Sequence, residues 1–346
     1  MIFHQIATER GCQSYFVACE QACMAAIIDP EETLIDRYLG LAAQEGVRIH
    51  YVLDTHTHAD HFSGTIELAR ELGVPVIMHR DSPAPFVDMR VDDGEKINLG
   101  KLSLNIMHTP GHTADSICVH VEDRVFTGDT LLIGGCGRSD LPTGDPNQLY
   151  DSLFNKLLLL DPATRVYPAH IYSNREYSTL AEEKTDNPRL QMKQRDEFVA
   201  QMRKLTLREP DHLSEALRTN LTGGKTVEQL IAAAAHNVSF MSLEEVLRRI
   251  GQEDPGALLL DVREREAFES GHIPGAISIP RGQLELRVNE ALPDPTRRIV
   301  VYCEYGRIST LATATLREMG FTRAVAMDKG MQLWVEKGYP VASGTA

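Results

Sequence analysis

The sequence predicts an α/β protein with two domains, and three features of the chain support this prediction. Short apolar runs typical of buried strands, such as 48–54, alternate with segments of helical periodicity. Such alternation predicts helices layered on sheets. The pattern occurs twice, and two glycines and a run of four alanines separate the two copies. A chain of 346 residues is long enough for two hydrophobic cores. We therefore predict domains over 1–222 and 238–346, joined by a linker at 223–237.

Each predicted element ends at a breaker residue or at a change of periodicity. The helix 32–45, for example, has apolar residues at helical spacing and stops at Gly46. In the N-terminal part we predict strands at 14–18, 25–29, 48–54, 74–79, 102–108, 117–121, 124–126 and 165–167, and helices at 32–45, 64–72, 146–160, 175–186 and 190–205. In the C-terminal part we predict strands at 257–261, 276–279 and 298–302, and helices at 242–250, 265–269 and 309–319.

Composition and charge argue against several classes of function. The formal net charge of -14 argues against a nucleic acid as partner. The chain has no run of 18 apolar residues, and its N-terminus lacks a basic stretch followed by an apolar one, so we expect neither a membrane span nor secretion. The six cysteines lack the spacing of a disulfide framework, which indicates free thiols in the cytoplasm. The oligomeric state stays open, and a homo-oligomer is compatible with the sequence.

Histidines and carboxylates cluster directly after the predicted strand 48–54. Four potential metal ligands stand within six positions there: His56, His58, Asp60 and His61. Three further candidates each follow a later apolar run: His112, Asp129 and His170. Imidazole and carboxylate bind first-row metals, and ligands must lie close together to share an ion. A polar loop whose histidines only form hydrogen bonds is the alternative. We favour a metal site because one edge of a sheet can present all of these residues.

Two further segments have both a structural and a functional interpretation. The glycine-rich loop 134–140 is either a tight connection or a backbone that approaches the ligand pocket with Arg138 aimed into it. Cys303 follows the predicted strand 298–302 and precedes a helix, which places its thiol near a helix N-terminus. That position favours thiolate over thiol, whereas an inert buried cysteine is the alternative. The polar, glycine-containing sequence 304–307 favours the reactive interpretation.

The ligand motifs resemble those of the metallo-β-lactamase superfamily. The string His56-Thr57-His58-Ala59-Asp60-His61, followed by His112, Asp129 and His170, resembles that superfamily over about 1–221. This resemblance implies an αββα sandwich with a metal between loops at the sheet edge. The longer stretches 54–64, 109–113, 126–140, 167–170 and 187–190 resemble the persulfide dioxygenases within the superfamily. The sequence departs from that family at Ile171, where the family often has aspartate. This departure concerns residues that contact the ligands and leaves the ligands themselves unchanged.

The resemblance also implies roles for the individual ligands. One Fe(II) per chain would be held by His56, His112 and Asp129, with positions left for a sulfur ligand and O2. The remaining candidates would orient these ligands or, in a glyoxalase II-like enzyme with two zinc ions, hold the second ion: His58, Asp60, His61 and His170. The sequence permits both occupancies.

The C-terminal part resembles a rhodanese over about 238–341. The resemblance lies in 260–264, 271–276 and Cys303, and it implies an α/β domain whose cysteine carries sulfane sulfur. Two departures stand in the loop after Cys303. Ile308 occupies the position where the family usually has arginine, and Glu304 adds a negative charge beside the thiol. Both departures predict weak capture of the thiosulfate dianion, and the first argues against a phosphatase. A silent domain that serves docking is the alternative.

Together these resemblances predict a persulfide dioxygenase–rhodanese fusion. The iron domain would oxidise a low-molecular-weight thiol persulfide, such as glutathione persulfide, with O2 to sulfite and thiol. The rhodanese cysteine would transfer sulfane sulfur among thiosulfate, persulfides and thiols. Four residues are candidate substrate contacts: Arg138, Tyr172, Arg189 and Arg307. Structural ion pairs are the alternative for the arginines. The alternative for the whole chain is a thioesterase with two metal ions and a non-catalytic rhodanese docking module.

Overall fold

The chain divides into two compact units, Met1–Gly224 and Lys225–Ala346. The structure, a computed structural model, describes residues 1–8, 11–172, 175–205, 207–209, 213–251 and 257–344. The segment predicted as a linker contains a helix, Val227–His236, because Thr226 and Gln229 form a capping box that starts it. No helix in these described ranges is long and apolar enough to cross a membrane.

Two six-stranded mixed sheets form the centre of the first unit within the described residues. The first sheet has the order β1 (Ile2–Ala7), β2 (Gln13–Cys19), β3 (Met24–Ile28), β4 (Arg48–Leu53), β5 (Val76–His79) and β6 (Met89–Val91). The strands of the second sheet, together with the hairpin β11–β12, are β7 (Lys96–Leu99), β8 (Leu102–His108), β9 (Ile117–Val121), β10 (Arg124–Gly128), β11 (Leu131–Leu132), β12 (Gly135–Cys136), β13 (Arg165–Pro168) and β14 (Ser178–Thr179). The second sheet has the spatial order β14-β13-β10-β9-β8-β7.

The two sheets pack face to face, and helices cover their outer faces. Buried residues of both sheets, among them Leu53, Ile106 and Phe126, form one apolar core between them. The helices of this unit are α1 (Ile35–Gln44), α2 (Thr65–Leu72), α3 (Pro146–Phe154), α4 (Leu180–Asp186), α5 (Arg195–Arg203) and α6 (Leu213–Thr222). Helices α1 and α2 pack on the first sheet, and α3, α4 and α5 pack on the second. This arrangement confirms the predicted αββα sandwich.

Several predicted boundaries in this unit are wrong. The helix predicted at 146–160 ends at Phe154 and is followed by a separate 3-10 turn, Leu157–Leu159. The helix predicted at 175–186 begins only at Leu180, because a capping box of Thr179 and Glu182 starts it there. The helix predicted at 190–205 is confined to α5. Strand β1 was not predicted, since an edge strand that pairs on one side only tolerates polar residues.

The second unit has one parallel sheet of five strands within the described residues, in the order β15-β19-β18-β16-β17. Its strands are β15 (Phe240–Met241), β16 (Ala257–Asp261), β17 (Ile277–Ser278), β18 (Arg298–Tyr302) and β19 (Ala324–Met327). Its helices are α7 (Val227–His236), α8 (Leu243–Gly251), α9 (Arg265–Ser270), α10 (Leu284–Ala291), α11 (Arg307–Glu318) and α12 (Met331–Glu336). Apolar clusters lie on both faces of the sheet, so its central strands are continuously hydrophobic. For that reason the bounds predicted for β16 and β18 are confirmed.

Candidate metal centre and sulfur-transfer loop

Strand ends bring the predicted metal ligands together at one edge of the sandwich. The loop that carries His56 and His61 begins where β4 ends. The backbone carbonyl of Thr55 in this loop accepts a hydrogen bond from the backbone N–H of Ile117 at 2.8 Å. Strands β10 and β13 are parallel neighbours, and their ends lead directly to Asp129 and His170. All seven predicted ligands lie in three adjacent groups of side chains at this edge.

The first group consists of His56, His112 and Asp129, whose donor atoms all lie within 4.8 Å of one another. His112 donates a hydrogen bond from Nδ1 to the Arg138 carbonyl at 2.7 Å, so its Nε2 keeps a lone pair, 3.6 Å from Asp129 Oδ2. The Thr55 hydroxyl donates to Asp29, so His56 donates from Nδ1 to Thr55 at 2.9 Å. Burial and the neighbouring imidazoles lower the pKa of His56 to about 3. The Nδ1 hydrogen bonds of the two imidazoles therefore leave their Nε2 atoms available as ligands.

Three buried carboxylates support the histidine loop, and sequence reasoning did not identify any of them. Asp29 accepts hydrogen bonds from the backbone N–H and the hydroxyl of Thr55, at 2.6 and 2.9 Å. Asp54 accepts hydrogen bonds from two hydroxyls, including that of Thr65 at 2.7 Å. Asp115 accepts one from the Thr57 hydroxyl at 2.6 Å. These contacts hold the loop in one conformation, which a preorganised metal site requires.

His58 tests whether these residues fit a metal ion. Its Nε2 lies 3.2 Å from Asp29 Oδ1, whereas its buried Nδ1 has no hydrogen-bond partner among the described residues. A buried polar atom without a hydrogen-bond partner calls for an explanation. An imidazole nitrogen that carries no proton can bind a metal ion or accept a hydrogen bond from a water bound to that ion. The group of His56, His112 and Asp129, together with this nitrogen of His58, indicates that the site fits a metal ion.

The second group contains the predicted residues Asp60, His61 and His170, and also Cys12. His170 places Nδ1 2.7 Å from Asp129 and Nε2 2.6 Å from Asp60. Although burial opposes protonation, the two carboxylates raise the pKa of His170 well above its usual value. Cys12 lies 3.5 Å from His170 Nε2 and was not predicted, because an isolated β-bridge brings it there from the other end of the unit.

A pocket of about 460 Å³ lies beside this centre. Its walls are formed by Ala59, Asp60, His112, Asp129, Leu132, Cys136, Gly137, Arg138, Leu141, Tyr172, Leu207 and Arg208. Two of the predicted substrate contacts, Arg138 and Tyr172, are among these residues. Arg189, the third predicted contact of this unit, does not line the pocket. Burial raises the pKa of the pocket residue Cys136 to about 12, and the positive charge of Arg189 opposes this increase. Leu207 and Arg208 were not predicted, because they lie far along the chain from the ligand motifs.

Cys303 lies between the end of β18 and the start of α11, as predicted. The backbone N–H groups of Gly306 and Ser309 each donate to its sulfur at 3.2 Å, and the Ser309 hydroxyl oxygen lies 3.4 Å from it. The side chain is buried, whereas the neighbouring Tyr305 and Ile308 are exposed. These donors converge on the Cys303 sulfur at the N-terminus of α11, where backbone N–H groups have no partner within the helix.

The charges of this loop are balanced by contacts that the sequence did not reveal. Glu304 accepts a hydrogen bond from Arg263 at 2.9 Å, and Arg263 also forms an ion pair with Asp261. Arg307, a predicted substrate contact, forms an ion pair with Glu228 of α7. The negative charge expected beside the thiol is therefore paired with a cation, and the loop's own cation, Arg307, is paired with a carboxylate outside the loop.

Comparisons with known proteins agree with this architecture. Residues 9–170 match the metallo-beta-lactamase superfamily, and residues 242–337 match the rhodanese-like domain. The chain is 35% identical over 229 residues to the mitochondrial persulfide dioxygenase ETHE1 of Bos taurus, which covers 65% of this chain and 89% of the relative. The crystal structure of ETHE1 from Myxococcus xanthus has 38% identity and a TM-score of 0.63, and covers 65% of this chain and 100% of that one. A hydroxyacylglutathione hydrolase of Anaeromyxobacter dehalogenans is 39% identical over 150 residues, which cover 43% of this chain and 58% of the relative.

Fold and site thus define a two-domain protein, in which a domain of the metallo-β-lactamase superfamily carries a candidate metal centre and is followed by a rhodanese-like domain. The chain belongs to the persulfide dioxygenase family, and it carries the rhodanese-like domain C-terminal to the part shared with the relatives above. The predicted family and fold are confirmed. The same relationship supports an enzyme, and the groups of candidate ligands are compatible with a metal ion.

Proposed function

We propose that the first unit oxidises a low-molecular-weight thiol persulfide, such as glutathione persulfide, with O2 and water to sulfite and thiol. The supporting observation is the donor group of His56, His112 and Asp129, in which both histidine tautomers are set for metal binding. Two imidazoles and one carboxylate are the donor set of non-haem Fe(II), which, held by these residues, would bind O2 and the substrate sulfur and supply the redox chemistry. In this proposal each chain binds one Fe(II), and the enzyme is located in the cytoplasm.

The chain's own residues orient the donors and shape the space for the substrate. Asp129 receives the His170 N–H on Oδ1, which leaves Oδ2 facing His112 and the candidate metal position. Asp60 holds His170 from its other nitrogen, so the imidazole acts as an orienting donor. Leu132 and Leu141 line the pocket and exclude bulk water from the sulfur that reacts.

The second unit is proposed to transfer sulfane sulfur through Cys303. Its thiolate attacks the outer sulfur of a persulfide or thiosulfate, so that a new S–S bond forms on Cys303 and the donor's S–S bond breaks. The donor leaves as a thiolate or as sulfite, and an acceptor thiolate then takes the sulfur in the reverse step. The N–H groups of Gly306 and Ser309 hold the negative charge on sulfur in both directions.

A glyoxalase II-like thioesterase is the second candidate. The donor atoms of Asp60, His61 and His170 lie within 4.8 Å of one another, which suits a second metal ion beside the first. His58, whose ring centroid lies 4.2 Å from that of His61, would add its orphaned nitrogen to this second ion. Two zinc ions would then activate water for hydrolysis, and the rhodanese domain would serve for docking.

Metal analysis combined with oxygen uptake distinguishes these functions. We expect about one iron per chain and O2 consumption with glutathione persulfide that yields sulfite. His112→Ala should lower the rate at least about a hundredfold, because it removes a ligand whose loss the neighbours cannot replace. His50→Ala is the matched control, since His50 hydrogen-bonds to the Arg48 carbonyl and belongs to none of the groups of candidate ligands among the described residues. Two zinc ions per chain with anaerobic hydrolysis of a thioester would establish the thioesterase instead.

A further inference from the structure

The first unit contains a further group of possible metal ligands that is separate from the candidate centre. His79, Asp81 and His108 each offer a donor atom within 4.8 Å of the other two, and none of them belongs to the groups around His56 and His170. His79 is the last residue of β5 in the first sheet, and His108 is the last residue of β8 in the second. One strand end from each sheet therefore contributes an imidazole to this group.

Hydrogen bonds leave the Nδ1 atom of each neutral imidazole without a proton. His108 Nε2 donates to the Ala114 carbonyl at 2.8 Å, so His108 Nδ1 keeps its lone pair. The backbone N–H of Asp81 donates to His79 Nδ1 at 3.1 Å, so this nitrogen keeps its lone pair as well. Imidazole nitrogens in this state are the atoms that bind borderline divalent metals.

The two imidazole rings are stacked, with centroids 3.6 Å apart and an angle of 12° between their planes. Two protonated rings would repel each other at this distance, so the stack requires at least one neutral ring. Burial and the neighbouring His108 ring lower the pKa of His79 below its usual value. The buried His79 ring therefore has no proton to release before it binds a metal ion.

The carboxylate of Asp81 lies at a distance that suits a shared ion. Its Oδ2 is 3.7 Å from His79 Nδ1. Two ligands that each lie about 2.1 Å from a tetrahedral zinc ion are about 3.4 Å apart, so only a small movement of this pair is needed. The Asp81 side chain is 57% exposed, which allows such a movement and gives an ion access from solvent.

The electrostatic environment of His79 also favours a cation. The carboxylates of Asp81, Asp92 and Asp115 all act to raise the pKa of His79, opposing the effect of burial. Arg80, which is adjacent in sequence, forms an ion pair with Asp92. Within the described part of the chain, Asp81 has no ion pair with a lysine or arginine, so no such side chain neutralises its charge.

We propose that His79, Asp81 and His108 bind a divalent transition-metal ion such as Zn²⁺ at a site distinct from the candidate centre. Two imidazoles and one carboxylate suit an ion of this class, and water would complete its coordination. The ion would replace the hydrogen bond that the Asp81 backbone donates to His79 Nδ1. By joining the end of β5 to the end of β8, it would cross-link the two sheets. The site does not depend on the function proposed for this unit.

Zinc binding by the full-length protein tests this site. The wild type, saturated by equilibrium dialysis against Zn²⁺, should hold one more zinc ion per chain than His108→Gln. Glutamine can still donate to the Ala114 carbonyl but lacks the ring nitrogen that would bind the ion. His50→Gln is the matched control and should bind as much zinc as the wild type, since His50 belongs to no candidate group among the described residues. The difference between variants is independent of the metal in the first centre, which all of them retain.

Asp81→Asn provides a second variant that leaves the buried residues unchanged. It should weaken binding of this zinc ion about tenfold or more, because the carboxylate ligand is lost. Asp196→Asn, the same charge change on the exposed start of α5, should leave binding unchanged. Zinc should also raise the Tm of the wild type more than that of His108→Gln or Asp81→Asn, because an ion that binds only the folded chain stabilises it.

Equal zinc content and equal zinc-induced Tm shifts in the wild type, His108→Gln and Asp81→Asn would overturn the proposal. An equal loss of binding in Asp81→Asn and Asp196→Asn would also overturn it, since net charge would then explain the effect. Circular dichroism shows whether His108→Gln is folded, and if it is not, the comparison of Asp81→Asn with Asp196→Asn decides.

Discussion

Single hydrogen bonds determine which histidine nitrogens face the candidate metal position. Thr55 donates its hydroxyl proton to Asp29 and accepts from His56, so one hydroxyl sets both the loop conformation and the imidazole tautomer. The Arg138 carbonyl likewise accepts a hydrogen bond from His112 Nδ1 and so sets the tautomer of that imidazole. Contacts of this kind around a metal ligand typically change metal affinity by about 10–100-fold.

Thr55→Val tests this effect, because valine keeps the shape of threonine and removes the hydroxyl. We expect the iron affinity to fall about tenfold, since His56 loses the acceptor that fixes its tautomer and Asp29 loses a donor. Competition with a chelator of known affinity measures the change. Thr185→Val, which removes an exposed hydroxyl on α4, is the control. An unchanged affinity would show that the tautomer is set by the remaining contacts.

At the scale of elements, the glycine-rich loop after β10 is shaped by close approach of its backbone to the site. A Cβ added at Gly137 would lie 2.0 Å from the Asp129 carbonyl oxygen and 3.1 Å from His112 Nδ1. A Cβ at Gly135 would meet no atom within 4 Å. The backbone at Gly137 therefore approaches the candidate site, as in the second interpretation of this loop. Only glycine fits there, because any Cβ would meet the backbone of Asp129 and the ring of His112.

Gly137→Ala should disturb the site, whereas Gly135→Ala in the same loop should not. The added methyl group at Gly137 has to displace the backbone of Asp129 or the ring of His112, and overpacking of this kind costs about 1–3 kcal/mol. We expect the iron content and the dioxygenase rate of Gly137→Ala to fall at least about tenfold. Metal analysis and oxygen uptake of both variants give the comparison. Equal behaviour of the two variants would contradict a steric role for Gly137.

Element boundaries were predictable where burial dictates composition and less so where side-chain caps decide. Strand β18 is buried on both faces, and its apolar run coincides with the strand. Helix α4 begins at its capping box, so the preceding polar residues that fit a helical pattern are not helical. The alanine-rich segment before the rhodanese-like domain is the helix α7, because alanine favours helix when a cap starts it.

At the scale of the whole molecule, each unit has its own apolar core and its own set of chemical groups. The clusters of buried apolar residues each belong to one unit. The candidate metal ligands all belong to Met1–Gly224, and Cys303 with its donors belongs to Lys225–Ala346. Substitution of a group in one unit is therefore expected to leave the chemistry of the other intact.

Cys303→Ser and His112→Ala should give reciprocal results. Cys303→Ser should abolish sulfur transfer, because a serine hydroxyl does not form a persulfide, and should keep oxygen uptake within twofold of the wild type. His112→Ala should abolish oxygen uptake and keep sulfur transfer. Both activities are measured on both full-length variants, with circular dichroism as the control for folding. Loss of both activities in a folded variant would contradict the independence of the two units.

The sequence by itself determined the family, the two fold types and the candidate ligands. It could do so because these ligands stand in short motifs directly after strands, where local pattern and spacing carry the information. Only the tertiary structure decided the partners of those motifs: Cys12 beside His170, Asp29 beneath the histidine loop, Arg263 against Glu304, and Arg208 in the pocket wall. Most of these contacts join residues 26 to 158 positions apart, and such distances in the chain leave no local pattern for a sequence to display.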